Sequence, residues 1–286
     1  MRTGLHALGI GTGARPEIIR AVSSAAEQAG FVTLWAGEHV AMVDEPRSRY
    51  PYAADGRFTV PADADWLDPL LCLTLAASVT ASIGLATGIL LLPEHNPVLA
   101  AKQIATLDVL CGGRLTLGVG IGWSAEEFAA LGVPFERRGA RTAEYVGALR
   151  ALWSADVASF DGEFTRFDGI RVYPKPVRGG RIPVVAGGNS DTALRRVAAI
   201  ADGWYGFGLT LDDAVERAGA LAGYCRDRGR SPADLSIAVA LTDASPAAVP
   251  LLERAGVTEV VLLGTPPAAA GECAAWVSGL AAGWAD

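Results

Sequence analysis

Eight times along this chain a short apolar, β-branched run gives way to a segment of helical period, and that alternation narrows the possible folds more than any other feature. The strand-like runs are Leu5 to Ile10, Phe31 to Trp35, Ile83 to Leu92, Arg114 to Val119, Ile182 to Ala186, Gly203 to Phe207, Leu235 to Leu241 and Thr258 to Leu263. The helices between them carry their own punctuation. Pro16, Pro97, Pro246 and Pro266 stand at first-turn positions, Asn96, Thr210 and Ser245 are cap types, and Gly30 and Gly112-Gly113 close helices. Eight βα units in 286 residues point to an α/β chain closed into a (β/α)8 or TIM barrel, which typically takes about 250 residues. An open doubly wound sheet is the competitor, because rhythm alone does not prove closure. Residues 1–286 then form a single barrel domain with two interruptions. The long loop Val40 to Trp66, with Tyr50, Tyr52 and Phe58 inside it, is a candidate lid. Before the fifth strand, Ser159 to Phe164 and Arg171 to Pro174 read as the arms of a small hairpin insertion on the opposite rim.

Composition removes several classes of partner. Half the residues are apolar, enough for a sizeable core, and the formal charge of −7 opposes a nucleic-acid partner. The four cysteines (Cys72, Cys111, Cys225, Cys273) form no C-x-x-C pair, so neither a disulfide framework nor a zinc knuckle is expected, and a reducing cytoplasm fits. The first residues have one early Arg and only a short apolar run, unlike a signal peptide. Leu70 to Pro93 holds 24 residues without a charge, long enough for a bilayer. Ser78 to Gly84 breaks it into a helix end and the start of a strand buried on both faces, so no membrane span is expected.

In a barrel of this class chemistry sits where strands hand over to helices. That face carries Gly9 to Gly11, His39, Thr87 to Ile89, Gly120 to Trp123, Gly187 to Ser190, and Trp204 to Gly208. His39 is the one histidine at a strand's C-terminal end, as acid/base, ring-orienting or structural group. His6, inside the first strand, reads as a core histidine and His95, before a cap, as structural. No H-x-H or H-E-x-x-H spacing supports a metal. The two lysines, Lys102 and Lys175, lie off this face, which argues against Schiff-base chemistry. Gly118-x-Gly120-x-Gly122 is not a dinucleotide fingerprint; its small residues read as room for a flat ring, and Trp123 reads as packing or cofactor platform. The Gly187-Gly188-Asn189-Ser190 turn, between strand and helix, is either plain turn chemistry or a phosphate cradle.

Four stretches carry a family resemblance over nearly the whole chain: WAGEHV (Trp35 to Val40), LATGILLLPEHNPVLAAKQIATLD (Leu85 to Asp108), GGRLTLGVGIGWSAEEFAALGVPFERRG (Gly112 to Gly139) and VVAGGNSDTALRRVAAIADGW, ending at Trp204. On these the sequence resembles the bacterial luciferase-like superfamily, and within it the coenzyme F420-dependent oxidoreductases. The resemblance implies the (β/α)8 barrel and a non-proline cis peptide at the end of strand three, here Gly88-Ile89, against the cofactor ring. It places His39 beside that ring and the cofactor phosphate on Gly187 to Ser190. The implied cofactor-binding set is Thr87, Gly88, Ile89, Gly120, Gly122, Trp123, Ala186, Gly187, Gly188, Asn189 and Ser190, with His39 catalytic. Hydride transfer between F420 and a small organic substrate follows. An FMN-dependent monooxygenase using reduced flavin and oxygen is the alternative, and a non-catalytic ligand-binding barrel a second. Arg137, Arg138 and Arg141 are candidates for the acidic F420 tail. A homodimer is expected. One departure stands out: where sugar-phosphate dehydrogenases of the superfamily place an acidic glutamate, this chain has Trp123, and Glu126 and Glu127 follow on a helix.

Overall fold

Runs of Val, Ile, Leu and Ala bury both faces of the sheet, and the sheet closes on itself. The computed structural model describes residues 1–284. The chain begins with β1 (Arg2–Leu8), α1 (Pro16–Gln28), β2 (Thr33–Ala36), α2 (Pro69–Ala77), β3 (Gly84–Thr87), α3 (Pro97–Leu110) and β4 (Leu115–Val119). Two helices, α4 (Ala125–Ala130) and α5 (Arg138–Ser154), precede a hairpin of β5 (Ala158–Asp161) and β6 (Arg166–Ile170). The barrel resumes with β7 (Val184–Gly187), α6 (Asp191–Ile200), β8 (Gly203–Leu209), α7 (Leu211–Arg226) and β9 (Ser236–Leu241). It ends with α8 (Val249–Arg254), β10 (Glu259–Leu263) and α9 (Cys273–Ala281).

The order β1-β10-β9-β8-β7-β4-β3-β2 forms a closed barrel, which rules out the open sheet. Parallel pairing of Arg2 to His6 with Glu259 to Leu263 makes the seam between first and last strands. Two cores result. One lies between strands and helices and includes the α5 stripe Thr142, Val146, Leu149 and Trp153, all buried. The other fills the lumen with Trp35, Ala86, Val185, Tyr205, Ala238, Ala240 and Val261. The alanines leave room for Trp35 and Tyr205 to stack, with ring centroids 4.4 Å apart and planes at 10°. At the floor Trp35 Nε1 donates to Glu259 Oε1 (2.9 Å), and at the mouth the Tyr205 hydroxyl meets His6 Nδ1 (2.9 Å).

Expected caps form at Asn96, Ser190 and Thr210, each side chain accepting from backbone N–H groups of the helix that follows. Three boundaries differ from expectation. The third strand stops at Thr87, the Gly88–Ile89 peptide that follows is cis, and Leu90 then bridges Val119. The hairpin pairs Ala158–Asp161 with Arg166–Ile170, so Arg171 to Pro174 is not its second arm: Gly162 N–H bonds the Thr165 carbonyl (3.0 Å), and this tight turn brings the partner strand in earlier. The last helix starts at Cys273 rather than at Thr265-Pro266, since a second proline, Pro267, disfavours helical backbone at the residue before it.

Candidate active site at the barrel mouth

His39 follows β2 and is held from outside the barrel. Its Nδ1 lies 2.8 Å from Glu127 Oε2, which assigns the ring proton to Nδ1 and leaves Nε2 to accept. Glu127 Oε1 accepts from the backbone N–H groups of Val40 (2.6 Å) and Ala41 (3.1 Å). Ser124 caps α4 by accepting from the Glu127 N–H (3.2 Å), but the Glu127 carboxylate does not close a capping box; it turns to the His39 segment instead. A second pair sits behind. Glu38 accepts from the Leu91 N–H (2.6 Å) and from His95 Nε2 (3.0 Å). Burial opposes charge on His95, yet the hydrogen bond and charge of Glu38 outweigh it and raise its pKa. His95 is thus structural, as expected.

The long loop after His39 is the lid. Glu126 accepts from the N–H groups of Arg47 (2.8 Å) and Ser48 (3.2 Å), so the first turn of α4 pins two points of the loop. The far end is fixed by the Gly11 N–H on the Asp65 carbonyl and by Trp66 Nε1 on the Gly37 carbonyl (3.0 Å). Phe58 and Trp66 of the loop and Trp123 after β4 surround His39, with ring centroids 5.2 Å, 4.8 Å and 5.8 Å away, and Tyr50 packs on Phe58 and Trp123. Between the two limbs of this loop and the start of α4 a cavity of about 250 Å³ is lined by His39, Met42, Phe58, Val60 and Trp123.

The glycines at the ends of β3 and β4 act differently from the expectation. A Cβ on Gly118 would meet the Thr87 carbonyl, and one on Gly120 the Ile89 side chain. The space they leave is filled by the bulge at Gly88–Ile89 and not left open for a ring, so Gly120 acts through Ile89. Thr87 is fully buried, and its hydroxyl both donates to the Gly118 carbonyl (2.7 Å) and accepts from the Gly118 N–H (2.8 Å), which commits its one proton to β4. Gly88 lies over His6, whose Cε1 would be 3.1 Å from a Cβ there. His6 is therefore at the mouth, not in the sealed core. Burial lowers its pKa to about 4, so the ring is neutral at pH 7. Gly122 has φ 71° and accepts from Arg138 Nε (3.1 Å) at its carbonyl. Trp123 belongs to the lid cluster.

At the β7–α6 turn Gly188 has φ 105° and Ser190 accepts from the Ala193 N–H (3.3 Å). Ala186 packs in the strand–helix layer, so its side chain faces away from the mouth. Trp204 is buried and donates to the Gly188 carbonyl (2.9 Å), a packing role. Asn189 Nδ2 donates to the Phe207 carbonyl (2.8 Å), while its Oδ1 is buried without a partner. Beside this turn two guanidiniums converge. Arg196 on α6 reaches to the start of α5, its Nη1 3.0 Å from where a Gly139 Cβ would stand. Burial lowers the pKa of both Arg138 and Arg196, and the charge of Arg138 lowers that of Arg196 further. Among the described residues neither forms an ion pair. Of the other expected arginines, Arg137 pairs with Glu163 and Arg141 donates to the Pro134 and Glu136 carbonyls. Two half-buried like charges near the start of a helix repel each other and favour a bound anion.

Glu127, His6 and Arg196 were not legible as site residues, though the S-x-x-E spacing marks the α4 start that carries Glu127. Among the described residues no cluster of His, Cys, Asp and Glu suits a metal ion. A larger cavity, about 730 Å³, lies on the opposite rim by the C-terminal end of α6. Its arginines are engaged there: Arg150 and Arg181 pair with Asp202, and Arg230 donates to the Ala198 carbonyl.

Comparison with known proteins gives the same picture. The model of the luciferase-like monooxygenase family matches residues 3–279. An uncharacterised Mycobacterium tuberculosis protein is 37% identical over 267 residues, 92% of each chain. The FMNH2-dependent dimethylsulfone monooxygenase of Pseudomonas putida is 34% identical over 175 residues, 59% of this chain and 47% of that one. The structure of the coenzyme F420-dependent tetrahydromethanopterin reductase from Methanopyrus kandleri superposes with a TM-score of 0.74 at 18% identity, covering 97% of both chains. From its sequence and its barrel, this chain belongs to the luciferase-like monooxygenase family.

Proposed function

We propose that this oxidoreductase uses coenzyme F420 to move a hydride to or from a small organic substrate held under the aromatic lid. The observation that carries this reading is the His39–Glu127 pair, an oriented imidazole at the end of β2 with Nε2 free to hold or accept a proton. Bound F420 would supply the hydride chemistry, and the protein the orientation and exclusion of water. The residues present fit such a group. Arg138 and Arg196 offer charge to a phosphate and acidic tail, the turn at Gly187 to Ser190 lies beside them, and the orphaned Asn189 Oδ1 is ready to accept a hydrogen bond. The lid rings around His39 would keep water from the transfer. A homodimer acting in the cytoplasm, where free thiols such as the four buried cysteines persist, completes the proposal.

The second reading is a monooxygenase using reduced FMN and oxygen, favoured by the 34% identity to the dimethylsulfone monooxygenase. Titration of the purified protein with F420 and, separately, with oxidised and reduced FMN distinguishes them. Binding of F420 with a marked loss in Arg196→Gln is the expected result. Tight FMN binding with none of F420 assigns the second reading, and binding of neither overturns both.

A further inference from the structure

Glu94 ends the short 3-10 turn Leu92–Glu94 between β3 and α3, where both of its carboxyl oxygens are buried without a hydrogen-bond partner. The residue is 9% exposed, and Oε1 would stand 3.1 Å from a Cβ on Gly122. It is the third carboxyl of a buried cluster. Glu38, after β2, is matched by His95, and Glu127, on α4, is matched by His39; nothing matches Glu94. Helix α5 packs over the same turn, and of the arginines in its first turn Arg138 donates to the Gly122 carbonyl and Arg141 to the Pro134 and Glu136 carbonyls. Among the described residues no cation forms an ion pair with Glu94. Burial first, then the like charges of Glu127 and Glu38, push its pKa up to about 9.

We propose that Glu94 is a positioning residue for His39: a carboxylic acid kept neutral so that the Glu127 carboxylate can hold the imidazole with no further anion buried beside it. The inference rests on the reading that His39 serves the reaction. A neutral Glu94 adds no charge next to Glu127; an ionised one repels it where both are buried, and that repulsion acts on the carboxylate that holds His39, Val40 and Ala41.

Histidine-selective ¹⁵N labelling tests this in the protein without cofactor. The wild-type His39 ring signals are expected to change with a midpoint near the Glu94 pKa of about 9. In Glu94→Gln, and in Glu94→Leu, that midpoint should vanish or rise by more than about one pH unit, with the neutral-pH spectrum of His39 retained. Infrared spectra of the wild type at neutral pH should show a protonated carboxylic acid that the Gln variant lacks. An unmoved midpoint in a folded variant overturns the proposal. So does a wild-type spectrum with no change in that range, an outcome that needs no variant to fold. Failure to bind F420 or FMN would instead defeat the functional reading and leave the wild-type midpoint in place.

Discussion

His39 offers its partners one ring proton, and Glu127 accepts three N–H groups with two oxygens. A glutamine at 127 has one acceptor oxygen and brings two donors of its own, so at least one of the three N–H groups loses its partner. Glu127→Gln is therefore expected to lower kcat by roughly tenfold or more while changing cofactor affinity little, whereas His39→Ala should cost on the order of 10²–10⁴ in kcat. Steady-state kinetics with the cofactor that binds, together with its Kd, checks both; a loss confined to Kd would make His39 a binding group only. This pair also shows what a sequence reveals at the residue scale. His39 stood out because strand ends are readable from apolar runs. Glu127 did not, because it lies 88 positions away and its spacing to Ser124 suggests a capping box it does not complete. The surroundings of Thr87 and Gly120 were hidden for the converse reason: a small or polar residue at a strand end looks free until Gly118 is seen to engage the Thr87 hydroxyl and Ile89 to lie against Gly120.

At the scale of elements, β3 has to be placed accurately for its end to reach the mouth, and α1 does part of that work. Glu27, at the end of α1, accepts the N–H groups of Ala81 (3.0 Å), Ser82 (2.6 Å) and Ile83 (2.9 Å), the segment that leads into β3. Burial disfavours its charge, but these donors outweigh it and lower its pKa to about 2. A depressed carboxyl contributes stability that is present above its unfolded pKa and lost as pH falls through the folded one. Glu27→Gln should thus lower stability by about 1 kcal/mol at pH 7, after allowance for solvent screening. The difference from wild type should shrink between about pH 4.5 and 2. Denaturant titrations at both ends of that window measure it, and a constant difference would show that the charge is irrelevant. Helices with a sharp chemical start, such as α3 after Asn96-Pro97, were legible to the residue. The hairpin arms and the start of α9 were not, because a turn at Gly162 and a pair of prolines decide them by backbone geometry that apolar patterning does not record.

For the whole molecule, the eightfold rhythm made closure readable, whereas a surface for the proposed dimer would carry no periodic signature. The candidate for it is exposed apolar area. Helix α2 contains no charged residue, and its Leu71 is 72% exposed; on the neighbouring α3, Leu99 is 57% and Leu110 61% exposed. Full burial of each leucine contributes roughly 1.5–3 kcal/mol, so a few of them on each side form a substantial part of a dimer interface. The net charge of −7 on each copy acts in the other direction, since two such chains repel at low ionic strength. The proposed dimer should therefore be held by apolar contact and tightened by salt. Light scattering after size exclusion is expected to give two copies of the 29.6 kDa chain, with dissociation on dilution more pronounced at low salt than at about 0.15 M. Leu71→Glu combined with Leu99→Glu places four carboxylates across the joined faces and should leave a folded single chain of unchanged circular dichroism. A double variant that remains dimeric would move the interface to another face, and a wild type that is monomeric at every salt concentration would remove the dimer altogether.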